Sequence, residues 1–272
     1  MSMIDFNDCK TYLFFTSNEK RMIIKLVIIF SILFSFFGSN FTSLNWFELI
    51  IPVTLFMIFL IPMHIMVYKF CSYGQGFEIE FHEITFNRFH LESYETMTKR
   101  GWTKKPIPYS IITVIIALLS IGFIVYSSIL TYSHKKIDYL FFGKRKQFEY
   151  SQGNLYPQES TQLRQAYAHF NSNLFLIALI IVLTFFKEYA IFFALLLIII
   201  SYSFFHLFPI IPTIGFQFFV QHTYLWAASF ALFTTFSIYS LFLPFSSFLL
   251  FSITTGLIIL IILFVQFINA IS

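Results

Sequence analysis

The chain has 272 residues, 58% of them hydrophobic and 11% charged, with a mean hydropathy of +0.78. Soluble domains carry roughly 25% charged residues, so the composition excludes a water-soluble domain and identifies an integral membrane protein. The net charge of +4 comes from 17 basic and 13 acidic residues. The basic ones gather between the apolar blocks, a pattern suited to membrane topology and lipid headgroups rather than to nucleic acid.

The chain opens with a polar stretch. Residues 1–21 hold Asp5, Asp8, Glu19, Lys20 and Arg21 and no apolar core, so they do not make a cleavable signal peptide, and the first helix is the expected targeting element. The two cysteines, Cys9 and Cys71, form no C-x-x-C pair and suggest neither a disulfide framework nor a thiolate zinc site.

Apolar blocks follow at 22–37, 46–70, 107–130, 171–186, 190–208, 224–243 and 245–268. About 20 apolar residues span a bilayer. Lys25 lies within the first, short block and can snorkel to the interface. Residues 71–106 are polar and begin with alternation: Phe77, Ile79 and Phe81 on one side, Glu78 and Glu80 on the other. That period of two predicts one or two strands at the membrane surface. Residues 131–170 read as a cytoplasmic connecting segment in which Pro157 leads into a short helix, and Pro244 makes the last two blocks a tight hairpin. No internal repeat is visible.

Charge placement bears on the third block. Arg88, Lys99, Arg100, Lys104 and Lys105 precede it, and Lys135, Lys136, Lys144, Arg145 and Lys146 follow it. A simple span at 107–130 would put two basic loops on opposite sides, which the positive-inside rule disfavours. A re-entrant or interfacial helical segment broken near 120–122 would keep both on the cytoplasmic side. The expected fold is therefore a polytopic α-helical membrane protein forming one domain over 1–272. It has about six spanning helices, a re-entrant or interfacial helical segment, a small membrane-surface β element, and both termini in the cytoplasm.

Three stretches could carry chemistry. HEITF, from His82 to Phe86, begins like the zinc protease motif H-E-x-x-H but lacks the second histidine and reads as strand; it and His90 read as surface polarity. His64 is an ionisable group inside an apolar block, with Tyr68 and Cys71 on the same helical face; its place near the block's end equally allows a structural role. PIIPTIG, from Pro209 to Gly215, breaks a helix just after His206, which suits either a cavity lining or a plain helix end. No G-x-S-x-G and no phosphate-cradling glycine loop occurs, and no pair of membrane carboxylates is present; Glu48 stands near a helix start.

In order, these pieces resemble the site-2 proteases, a family of intramembrane zinc metalloproteases. HIMVYKFCSYGQGFEIEF is similar to the family's H-E-x-x-H helix and following strand, with His64 at the first histidine, Lys69 and Phe70 after it, and Gly76 and Glu80 downstream. AHFNSN resembles the A-G-P-x-x-N signature, retaining Ala168 and Asn173. FHLFPIIPTIG resembles N-L-x-P-x-x-x-L-D-G, retaining Leu207, Pro209 and Gly215. KKPIP before the third block, and Leu225 with Trp226, are similar to archaeal members; the likeness covers roughly residues 46–243.

Against that pattern, Ile65 stands at the general base, Tyr68 at the second histidine ligand and Ile214 at the aspartate ligand. Catalytic zinc needs three protein ligands and an open position. The resemblance thus implies a catalytically inactive relative that binds or regulates transmembrane partners in the lipid bilayer, with no cofactor expected. Two other readings stay open. One is an active metalloprotease with substitute ligands among His64, Cys71 and His206; the other is a small-solute permease or channel component.

Overall fold

The protein is described from a computed structural model over residues 15–75, 77–86, 107–128, 130–136, 159–209 and 213–243. Gly76, Pro157, Pro212, Pro244, His90, the block at 245–268 and most of the loop lysines and arginines lie outside the described residues.

Helix α1 (Ser17–Phe41) starts with a capping box in which the Thr16 hydroxyl accepts from Glu19 N and the Glu19 carboxylate accepts from Thr16 N. Ile24, Ile28, Ile32 and Phe36 form an exposed stripe along it, and Leu26, Phe30 and Phe34 are fully buried on the other side. A helix apolar on both faces packs protein on one side and lipid on the other. A short turn leads into α2 (Trp46–Gly74), whose Glu48 accepts from Asn45 N at the helix start. Pro52 and Pro62 lie inside α2 without ending it. Gly38 lets α1 and α2 approach closely, since a Cβ there would stand 3.1 Å from Leu49.

The chain then turns into β1 (Phe77–Glu83), which pairs antiparallel with β4 (Leu130–Lys136), Ile79 opposite His134 and Phe81 opposite Tyr132. Between them come β2 (Thr85–Phe86), β3 (Ile107–Pro108), which pairs with β2, and α3 (Tyr109–Leu119). Glu83 joins these parts: one carboxylate oxygen meets Lys25 Nζ at 2.7 Å, and the other accepts from Ser110 N in the first turn of α3. Lys25 therefore reaches a strand rather than simply snorkelling.

Helix α3 has 11 residues, about 16 Å of rise, too short to cross a bilayer. It ends in a reversal where Ile121 (φ 54°) and Gly122 (φ 79°) take left-handed conformations and Asn40 Nδ2 donates to Ile121 O. Val125 to Ser128 return as buried chain outside any helix or strand, and Ser127 donates to the Tyr202 carbonyl. Residues 77–136 thus begin and end at one end of the bundle, and their turn reaches the other end beside Asn40.

Helix α4 (Glu159–Thr184) begins well before the apolar block at 171, so part of the expected connecting segment is helix and another part is β4. The short helix expected after Pro157 is here, but it runs without a break into the apolar block at 171. Helices α5 (Ala190–Leu207), α6 (Ile214–Gln221) and α7 (Thr223–Phe242) complete the described chain. Lys187 caps α7 from the α4–α5 turn, its Nζ donating to the Ser240 and Leu243 carbonyls. Five of these helices, α1, α2, α4 from Leu163, α5 and α7, are long and apolar enough to cross a membrane. Exposed Ile51, Leu55, Val182, Ile191 and Ile238 give them the lipid-facing surfaces such helices need.

Candidate functional site

Where β1 and β4 meet the helices, the bundle encloses a group of uncharged polar side chains. Helical spacing puts His64 and Tyr68 one turn apart on α2, both buried. The same spacing puts Tyr202 and His206 on one face of α5, their rings stacked 6.1 Å apart. His64 Nδ1 lies 3.1 Å from the Tyr202 hydroxyl, and the His64 and His206 rings approach edge to face at 4.5 Å. His64 Nε2 is buried with no hydrogen-bond partner.

One turn further along α2, the chemistry is different. The Tyr68 hydroxyl lies 2.7 Å from Nε2 and 2.9 Å from Nδ1 of His169 on α4. The Tyr132 hydroxyl of β4 also reaches His169 Nε2, at 2.7 Å, and Phe218 of α6 stacks on the imidazole at 5.0 Å. Gln221 Nε2 donates to the Tyr132 hydroxyl and to Gln165 Oε1. One proton arrangement satisfies the chain: Gln221 donates to Tyr132, Tyr132 to His169 Nε2, and His169 Nδ1–H to Tyr68. Burial pushes the Tyr132 phenol upward, which keeps it a donor.

Beside this network lies a buried ion pair. Lys69 Nζ stands 2.6 Å from Glu19, whose other carboxylate oxygen accepts from Phe81 N. The pair fixes the start of α1, the end of α2 and the middle of β1 to one another.

The expected site residues divide accordingly. His64 and His206 come together. Tyr68, at the position of the second ligand, is held to His169 instead. Ile65 and Ile214 are buried apolar groups with no donor atom to offer. Cys71 is half-buried, one turn beyond Tyr68. Among the described residues no three His, Cys, Asp or Glu side chains are grouped to hold a metal ion. Among the described residues a three-ligand zinc centre lacks a third donor: His64 has a free nitrogen and His206 approaches it, but His169 Nε2 is shared by two phenols, and Tyr68, Ile65 and Ile214 offer none of the usual zinc donors.

The motif residues have structural work. A Cβ on Gly215 would stand 2.5 to 2.8 Å from the carbonyls of Phe208, Leu207 and His206, so only glycine lets α6 start against the end of α5. Pro209 follows directly after the α5 cap at Phe208. Asn173 donates to Ser229, joining α4 to α7, and Glu80 accepts from Thr16. His82 is exposed on β1.

His169, Tyr202, Tyr132, Gln165, Gln221 and the Glu19–Lys69 pair are missing from the sequence reading. His169 and Lys69 carried a usable signal, an ionisable side chain beside or within an apolar block. Nothing in the spacing shows that α2, α4, α5 and β4 meet. No family model, curated protein or solved structure matches the chain.

Proposed function

We propose that this is a non-catalytic membrane protein on a site-2-protease-like scaffold, in which an uncharged hydrogen-bonded core stands where the metalloprotease centre would be. Its role in this reading is to bind or regulate a transmembrane partner. The observation that carries it is the Tyr68 hydroxyl on His169, at the position where the resemblance requires a histidine ligand. Ile65 supplies no base and Ile214 no ligand oxygen. What such a scaffold keeps is a set of lipid-facing helices and a two-stranded ribbon, suited to holding another membrane segment or an extended peptide.

The same reading makes 77–136 a re-entrant excursion whose non-helical return is covered by protein, and makes 245–268 a sixth crossing. The β1–β4 end then faces the cytoplasm. Segments 87–106 and 137–158 leave and rejoin elements on that side, and among the described residues Lys187 is the basic residue at the opposite end.

Photo-crosslinking from position 219, on the partly exposed face of α6, tests the partner reading in intact membranes. One discrete transmembrane-protein adduct is expected; adducts with lipid alone would contradict it. The 4.5 Å approach of His64 and His206 favours a second reading, a peptidase with altered ligands, which stoichiometric zinc in the purified chain would support.

A further inference from the structure

One end of the polar core holds hydrogen-bonding capacity that the chain itself leaves unused. Gln165 of α4 and Gln217 and Gln221 of α6 stand beside β4, the last two one turn apart on the same face. Gln221 Nε2 donates to Gln165 Oε1 at 2.9 Å and to the Tyr132 hydroxyl at 3.0 Å, and Gln217 Nε2 donates to Thr131 Oγ1 at 3.1 Å. With the Tyr132 hydroxyl donating to His169, the Gln221 amide must turn its Nε2 to Tyr132 and so also to Gln165 Oε1, and Gln217 turns its Nε2 to Thr131. They leave Gln165 Nε2, Gln217 Oε1 and Gln221 Oε1 buried with no partner, and Gln165 is 5% exposed. Polar atoms in such surroundings call for a partner.

The unused set is one donor with two acceptors and no formal charge. A carboxylate or phosphate would face two carbonyl oxygens, and a cation would face the Gln165 amino group. A residue of extended chain presents its own N–H and C=O on the same edge and so matches both kinds of atom. We propose that these three glutamines form a binding site for the main chain of an extended polypeptide segment, the C=O of one residue accepting from Gln165 and the N–H of that same residue donating to Gln221 or Gln217. This rests on the partner-binding reading above and names the chemistry by which the partner is held. Gln217 and Gln221 are only partly buried as residues.

The test uses the full chain purified in detergent and the probe N-acetyl-Ala-Ala-N-methylamide, compared with the analogue whose central amide is an ester. Saturable binding of the amide probe is expected, with about tenfold weaker binding of the ester, the scale of one buried hydrogen bond. Gln165→Leu and Gln217→Leu are each expected to weaken the amide probe several-fold while keeping the thermal midpoint of the unmodified chain. Gln165→Glu, which exchanges the free donor for an acceptor, serves if a leucine variant fails to fold, and it is expected to abolish binding. Equal binding of amide and ester, or no saturable binding, overturns the proposal and assigns the three atoms to water. A crosslinked transmembrane partner combined with that result would overturn the glutamine site while leaving the partner reading standing. Lipid-only crosslinks combined with amide-dependent binding would do the reverse.

Discussion

Lys69 and Glu19 meet at 2.6 Å with their side chains almost completely shielded, 4% and 0% exposed. Two charges out of water are tolerated here because Glu19 also accepts from Thr16 N and Phe81 N. Removing one partner strands the other. Glu19→Gln is expected to cost about 3–5 kcal/mol, read as a fall in the thermal midpoint of the purified protein. The double replacement Glu19→Gln with Lys69→Met is expected to recover most of that loss. A single variant as stable as the parent would show that the pair does not hold β1 to the helices.

The Tyr68–His169–Tyr132 network makes a second prediction. Tyr68→Phe removes one buried hydrogen bond and is expected to cost about 1 kcal/mol, whereas His169→Leu leaves two phenols short of a partner and is expected to cost about 2–3 kcal/mol. In a double-mutant cycle the two are expected to be coupled by about 1 kcal/mol. Additive effects would separate Tyr68 from His169.

Gly215 gives a steric prediction. Three backbone carbonyls occupy the space of its missing Cβ, and backbone cannot move aside as a flexible side chain would. Gly215→Ala is expected to lose about 1–3 kcal/mol and to lower the yield of folded protein. An unchanged midpoint would place α6 further from the end of α5.

Topology is testable by labelling. In a chain with Cys9 and Cys71 replaced by serine, Lys99→Cys and Lys144→Cys are expected to react with an impermeant reagent from the same side of the membrane, and Lys187→Cys from the other. Opposite accessibility of 99 and 144 would make 107–130 a true crossing.

These elements were unequally legible. The block at 46–70 declares itself by length, because only lipid makes so long an apolar run favourable. The reversal at 120–122 has a local cause in Gly122 and Ser120. Strand β4 was hidden because LTYSHKK closes an apolar block and its partner β1 is distant in sequence; pairing across such a gap leaves no local trace. That the short helix expected after Pro157 is continuous with the block at 171 was hidden because QLRQAYAHF is mixed polar and apolar, and packing against α2 and α7 rather than hydrophobicity keeps it helical. The site was half legible. His64 stood out as an ionisable group in a membrane helix, but its relation to Tyr202 and His206, and that of Tyr68 to His169, depends on how four elements converge.

The central claim is that the core around His64 and Tyr68 is a hydrogen-bonded network rather than a zinc centre. Elemental analysis of the full chain, purified without chelator and compared with His64→Ala, tests it most directly. The account predicts zinc well below one equivalent per chain and no difference between the two proteins. One equivalent in the parent, lost in His64→Ala, would contradict it.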